Sequence, residues 1–115
     1  MAAVAILIGA GAAAQEAAET GSGAVLRALD KVSGQTLDVE LPAGGAGAMF
    51  GLVVELEECR YPAENPTGDA FAYLTIRDEG KLDIRFEGWM IASSPALNAL
   101  DHARYDVWVL RCMTS

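Results

Sequence analysis

The sequence is poor in the residues on which most catalytic and metal-binding sites depend. Its 115 residues include one histidine, His102, and two cysteines, Cys59 and Cys112. Positive charge is also scarce, because 8 Lys and Arg stand against 16 Asp and Glu and give a net charge of -8. Such a field repels phosphate backbones and anionic lipid. The composition therefore disfavours a nucleic-acid partner.

Short motifs of known chemistry are missing as well. The separation of the two cysteines rules out a CxxC redox or zinc motif, and the Gly-rich stretch Pro42–Gly47 has neither GxGxxG nor P-loop spacing. No G-x-S-x-G nucleophile elbow occurs. Asp78, Glu79 and Asp83 could offer oxygens to Ca²⁺, but they lack the spacing of an EF-hand, and a solvated turn is the simpler interpretation. We expect no enzymatic activity, no cofactor and no metal.

What the sequence does contain is enough apolar material for one packed domain. Hydrophobic residues make up 52% and charged residues 21%, which excludes intrinsic disorder and low-complexity architecture for the body of the chain. At 12.1 kDa the chain has room for a single core. We expect one domain over residues 24–115.

The N-terminal stretch resembles an export signal. Residues 1–14 read MAAVAILIGAGAAA, an apolar run with small residues at the positions of an A-x-A cleavage site. The run is too short to span a membrane, and its lack of a preceding Lys or Arg suggests a start codon upstream of Met1. Residues 15–23 are small, acidic and Gly-rich, and they predict a disordered tether. We expect a soluble periplasmic protein that begins near Gln15 and does not insert into the membrane.

From Ala24 onward the apolar pattern has a period of two, with turn signals every eight to twelve residues. This pattern predicts an all-β domain, a small antiparallel sandwich or a barrel-like fold. One helix is expected over Pro95–Leu100, since Ser94 can cap it and Pro95 suits its first position. The expected strands are Val25–Lys31, Thr36–Leu41, Met49–Cys59, Ala70–Arg77, Leu82–Phe86 with its continuation Trp89–Ala92, and Asp106–Cys112.

The two cysteines leave two possibilities open. In an oxidising compartment they would pair, closing a loop of about 54 residues and contributing on the order of 4 kcal/mol on the chain-entropy model. If the chain were not exported, two unpaired buried thiols would be favoured instead.

The C-terminal stretch GWMIASSPALNALDHARYDVWVLRC, residues 88–112, resembles an alphaproteobacterial exported family, domain of unknown function 2155. The segments AVLRALDKVSGQT, MFGLVVELEECR and AFAYLTIRD resemble its other parts. The resemblance implies export, a small β fold and a disulfide between Cys59 and Cys112. It implies no catalytic motif, and genes of the family often lie beside one for an accessory factor of respiratory complex I.

These observations predict a non-enzymatic domain that binds a protein partner, such as an accessory subunit at the periplasmic face of an inner-membrane respiratory complex. The expected site lies between strands, where a Pro and clustered aromatic residues interrupt the hairpin pattern. Its candidate residues are Trp89, Ser93, Asp101, His102, Arg104 and Tyr105.

Two alternatives use neighbouring residues. The first is a carbohydrate or peptidoglycan-fragment module, in which Trp89 and Tyr105 form an aromatic platform with Asp101 and Asp106 at its rim. The second, ranked last, is a hydrolase that uses Ser94 and His102.

Overall fold

A computed structural model describes residues 17–114. The predicted signal peptide over residues 1–14 and the first two residues of the predicted tether lie outside this range. Within it, no helix is both long enough and apolar enough to cross a membrane. The chain forms two antiparallel sheets that pack face to face, so the predicted all-β class is confirmed. The strands are β1 Ala18–Thr20, β2 Gly23–Asp30, β3 Thr36–Pro42, β4 Ala46–Met49, β5 Leu52–Pro62, β6 Phe71–Asp78, β7 Ile84–Ile91 and β8 Tyr105–Met113.

The larger sheet has five strands and is organised around β5. One edge of β5 pairs with β6, which in turn pairs with β7. The other edge is shared by two short strands, β4 at the beginning of β5 and β1 at its end. The smaller sheet has the order β3-β2-β8, so β2 lies between the hairpin partner that follows it and the last strand of the chain.

The core lies between the two sheets and follows the period-two pattern of the sequence. On β6, Ala72, Leu74 and Ile76 are fully buried while their neighbours face outward. Burial of each large aliphatic side chain contributes roughly 1.5–3 kcal/mol. The other large, fully buried side chains are Leu26, Met49, Leu52, Val54, Leu56, Cys59, Val107 and Val109.

Two hairpin turns depend on glycine. Gly34 in the β2–β3 turn has a φ of 78°, and Gly80 in the β6–β7 turn has a φ of 79°. These values lie in the left-handed region, which residues with a Cβ rarely adopt. The β2–β3 and β6–β7 hairpins are therefore both present, and each has its turn at one of these glycines.

The predicted helix over Pro95–Leu100 is wrong. This segment consists of turns, with hydrogen bonds from Ser94 N to Ile91 O and from Leu97 N to Ser94 O. Six residues are too few to nucleate a helix without strong packing, and Leu97 remains exposed while Leu100 alone is buried. The segment thus has no apolar face to hold a helix against the sheet.

Two loop predictions are also corrected. The predicted tether is wrong for residues 17–23, because β1 pairs with the end of β5 and Gly23 already belongs to β2. Gly21 N donates to Cys59 O at 2.7 Å, which fixes the connection between them. The Gly-rich stretch Pro42–Gly47, whose composition predicts a loop, ends in β4 (Ala46–Met49), which pairs with β5 through backbone bonds that composition does not reveal.

Candidate binding surface

The predicted site residues fall into three separate places. His102, Arg104 and Tyr105 form a polar cluster at one end of the molecule, around Asp30 and Asp78. Trp89 lies on the outer face of the larger sheet, next to Tyr73. Ser93 lies at the opposite end of β6 from Asp78, and Asp101 is exposed in the loop before His102. The site expected from the sequence is therefore not one continuous surface.

His102 uses both of its ring nitrogens in structural hydrogen bonds. Its Nδ1 accepts from the backbone N–H groups of Arg104 at 3.0 Å and Tyr105 at 3.2 Å. An Nδ1 that accepts two bonds carries no proton, so Nε2 carries it and donates to Asp78 Oδ1 at 2.8 Å. This bond is the main reason why the pKa of Asp78 is below its usual value. The arrangement leaves no nitrogen of His102 to activate a hydroxyl.

The serines near the predicted helix have other partners. Ser93 Oγ donates to Asp69 Oδ2 at 2.7 Å, and Ser93 N donates to Asp69 Oδ1 at 3.0 Å. The backbone N–H of Ser94 closes a turn onto Ile91 O. Ser93, a candidate binding residue, therefore joins the loop after β7 to the loop before β6. Within residues 17–114, the hydrogen bonds of these serines do not reach His102, and the hydrolase alternative gains no support.

Arg104 neutralises a buried carboxylate. Asp30 is 4% exposed and accepts from the Arg104 guanidinium, with Nη2 to Oδ2 at 3.0 Å. The backbone N–H groups of Val32 and Ser33 add bonds to Oδ1 at 2.9 and 3.3 Å. The hydrogen bond from Arg104 is the largest cause that lowers the pKa of Asp30 to about 2. His102 and Arg104 thus have a structural explanation, since they fasten the loop before β8 to the ends of β2 and β6.

Tyr105 packs away from Trp89 and cannot share a platform with it. Its ring stacks on Phe50, with 5.9 Å between centroids and 2° between planes. The close approach requires glycine at position 51, where a Cβ would lie 2.9 Å from Tyr105 Oη. Tyr105 begins β8 in the smaller sheet, whereas Trp89 belongs to β7 in the larger one. The predicted carbohydrate platform of these two rings is not assembled.

Trp89 instead belongs to an apolar surface on the outer face of the larger sheet. The Tyr73 ring meets it edge-on at 5.4 Å, and the Arg60 guanidinium lies 5.8 Å from its centroid. Beside the indole, which is 37% exposed, is a shallow depression of about 250 Å³. We call this region the Trp89 surface; its residues are Ala18, Arg60, Phe71, Tyr73, Trp89 and Ile91.

Acidic side chains surround the Trp89 surface and hold its polar members in place. Arg60 pairs with Glu58, and Tyr73 Oη donates to Glu87 Oε2 at 3.1 Å. The bond to Glu87 is the largest cause that raises the pKa of Tyr73 above its ordinary value, so the phenol stays neutral. The rim is therefore anionic, while the centre is apolar and carries one arginine.

The sequence pattern locates Trp89 but not the other members of this surface. Phe71 and Tyr73 alternate with the buried Ala72 and Leu74, so their strand has two apolar faces rather than one. A strand whose outward face carries aromatic residues is the signal that could have located the surface. Arg60 and Ala18 come from strands that pair at long range, and no local pattern predicts that contact.

The disulfide predicted for Cys59 and Cys112 is present in the structure. Cys59 lies on β5 in the larger sheet and Cys112 on β8 in the smaller one, so the bond joins the two sheets. Both residues are buried. The disulfide therefore fixes the C-terminal end of β8 to the larger sheet.

The carboxylates of the β6–β7 turn are not gathered into a metal site. Asp78 is occupied by His102 and by Arg85, whose Nη1 lies 3.0 Å from Oδ2. Across residues 17–114, no group of three or more His, Cys, Asp or Glu side chains is placed to hold a metal ion.

The fold and the Trp89 surface define a small two-sheet β domain with one exposed aromatic face. The chain belongs to the family described as "Uncharacterized protein conserved in bacteria (DUF2155)", which matches residues 24–112. A similar protein is "Uncharacterized protein RP359" of Rickettsia prowazekii (strain Madrid E), 27% identical over 89 residues. That alignment covers 74% of this chain and 57% of the relative, so the chain spans little more than half of that protein. The comparison with solved structures found no match.

Proposed function

We propose that this chain is a non-enzymatic, exported binding domain that engages a protein partner through the Trp89 surface. The observation that carries the proposal is the association of Trp89, Tyr73 and Arg60 around an open apolar depression. Trp, Tyr and Arg are the residues most enriched at binding hot spots, because they combine large apolar contact with a polar end.

The surface is preorganised for binding. Trp89 is in contact with Tyr73 and Arg60, and both of these side chains are bound by glutamates. A ring that is already ordered loses little conformational freedom when a partner covers it. The anionic rim favours a partner whose apolar side chain is flanked by Lys or Arg.

A disulfide between buried cysteines supports the exported location, since such bonds persist in oxidising compartments. The finer proposal, an accessory subunit at the periplasmic face of an inner-membrane respiratory complex, rests on the gene neighbourhood that the family resemblance implies. It is tested by the identity of the recovered partner.

The test is affinity purification of the tagged chain from membranes solubilised in mild detergent. Trp89→Ala should lower recovery of a defined partner at least tenfold, since loss of a hot-spot tryptophan costs about 2 kcal/mol or more. Trp108→Ala is the matched control, because it removes the other tryptophan, on β8 of the smaller sheet. Circular dichroism of both variants checks that they remain folded.

Equal recovery of the partner with Trp89→Ala and wild type would contradict the proposed site. Retention of the wild type on purified peptidoglycan, lost in Trp89→Ala and without a protein partner, would instead assign the surface to carbohydrate.

A further inference from the structure

The outer face of the larger sheet carries a further depression beside the Trp89 surface. It has a volume of about 370 Å³ and is lined by residues 44–46, Leu56, Thr75 and two glutamates, Glu55 and Glu57. Two backbone hydrogen bonds of 2.8 and 2.9 Å join residues 44–45 to Leu56 and fix this wall to β5. We call this region the acidic depression.

The two glutamates of the acidic depression are not used by the fold. Both Glu55 and Glu57 are exposed, and within residues 17–114 neither carboxylate has an ion pair or a hydrogen bond. The bond to Glu87 is the largest cause of the raised pKa of Tyr73, and the charge of Glu57 adds to it, so Glu57 lies on the same face as Tyr73. Both carboxylates are therefore available to a cation from outside.

The charge of this sheet stays negative when its internal pairs are set aside. The strands β5, β6 and β7 carry five acidic and three basic side chains. Glu58 with Arg60 and Asp78 with Arg85 form ion pairs. The side chains left over are Glu55, Glu57, Glu87 and Arg77, so three acids against one base leave -2. A cationic group that approaches this face is attracted, and an anionic group is repelled.

The acidic depression and the Trp89 surface lie at two levels of the same strand. Phe71 belongs to the Trp89 surface and Thr75 to the acidic depression, and both face outward on β6. Thr75 is four positions beyond Phe71, which corresponds to roughly 13 Å along the strand at about 3.3 Å per residue. Tyr73 lies between them and opposite Trp89. A ligand that reaches both depressions therefore passes over Tyr73.

We propose that the partner of the Trp89 surface is an extended basic segment with two anchors. An apolar side chain fills the depression beside Trp89, and a Lys or Arg side chain about four residues away enters the acidic depression. In an extended chain the residues i and i+4 point to the same side, so one face of the segment carries both anchors. This inference rests on the proposed function and adds the chemistry of the partner.

The two anchors have different roles. Arg60 already lies 5.8 Å from the centroid of the Trp89 ring, so a second cation is directed to the carboxylates rather than to the indole. The apolar anchor supplies most of the affinity, because exposed ion pairs contribute little individually. The basic anchor selects the segment and sets the direction in which it lies across the sheet.

The first test selects random short peptides, displayed on phage, against the immobilised whole chain. Clones that bind wild type but not Trp89→Ala are sequenced. They should share an apolar residue with a Lys or Arg about four positions away. Clones without the basic residue or without a fixed spacing would overturn the proposal, and so would a selection that yields no clone dependent on Trp89.

The second test measures the affinity of one selected peptide by fluorescence anisotropy. The double variant Glu55→Gln with Glu57→Gln should bind about fivefold more weakly than wild type, and this loss should shrink as salt is added. Glu79→Gln with Asp83→Asn is the matched control, because both residues are exposed in the β6–β7 turn and the change in net charge is the same. The control should bind as wild type does.

Two results of the affinity measurement contradict the second anchor. Equal losses in the two double variants would show a general attraction to the charge of the chain and no contact with the acidic depression. No loss in either variant would show that the charges do not contribute to binding.

Affinity purification separates the failure of this inference from that of the proposed function. If Trp89→Ala loses the protein partner while the Glu55 and Glu57 double variant keeps it at every salt concentration, the Trp89 surface binds a partner of other chemistry and only the inference fails. If Trp89→Ala keeps the partner, the proposed function fails and the inference fails with it.

Discussion

Removal of the Cys59–Cys112 disulfide should destabilise this domain severely. The two cysteines are 53 residues apart, and on the chain-entropy model a loop of this length contributes about 4 kcal/mol at 25 °C. For a domain of this size, each kcal/mol shifts the melting temperature by about 4–8 °C, so the expected loss is about 15–30 °C. The bond also joins the two sheets, and its removal frees the end of β8 to fray.

The assay is thermal unfolding, followed by circular dichroism, of three samples. These are wild type with reductant, the pair Cys59→Ala with Cys112→Ala, and the pair Cys59→Ser with Cys112→Ser. The alanine pair should show the entropic loss together with a small loss of packing. The serine pair should melt lower still, because Cys59 is fully buried and a hydroxyl there has to find a new hydrogen-bond partner. A fall of less than about 5 °C in the alanine pair refutes the loop-closure reasoning.

Three further predictions concern the core, the buried carboxylate and one glycine. Leu74→Ala should cost about 2–5 kcal/mol in urea unfolding, because Leu74 is fully buried on β6, whereas Leu82→Ala should stay within about 0.5 kcal/mol; similar costs would contradict the assigned core. The pKa of Asp30 is lowered from 3.8 to about 2, so its contribution to stability is complete above pH 4 and is lost as the pH falls toward 2. Asp30→Asn should therefore be less stable at neutral pH and lose less stability over that range, and an acid profile parallel to wild type would refute the linkage. Gly23→Ala should strongly reduce the melting temperature, since a Cβ there would clash with the Leu41 carbonyl oxygen. A wild-type melting temperature would show that the β2–β3 contact is looser than described.

Local pattern predicted the strands that carry their own alternation of apolar and polar residues. The hairpins β2–β3 and β6–β7 carry their own alternation and their own glycine turns, so sequence alone located them. By contrast, β1 is three small or polar residues and β4 is AGAM, and both become strands because β5 offers free backbone groups on one edge. Strands that form because a neighbouring strand offers a free edge leave little mark in their own sequence.

The candidate site, like the fold, could be predicted only in part. Trp89 could be found from the sequence, because it lies where a Pro and clustered aromatic residues interrupt the hairpin pattern. The structural roles of His102 and Arg104 could not, since their partners Asp78 and Asp30 lie 24 and 74 residues away. A polar residue in a short connection has the same appearance in a sequence whether it binds a partner or a buried carboxylate.

Because β2 pairs with β8, the smaller sheet can be completed only after the last strand is available. Ala28 lies opposite Val107, so the middle strand of the smaller sheet cannot complete its hydrogen bonds until the end of the chain has emerged. A chain that emerges N-terminus first can form the β2–β3 and β6–β7 hairpins early. The inner faces of these hairpins stay exposed to water until β8 is in place. The last nine-residue strand covers the core and also brings Cys112 to Cys59. The disulfide can therefore form only after β8 has joined the fold. A chain that ends before Tyr105 would lack the strand that covers the core, and Cys59 would have no partner.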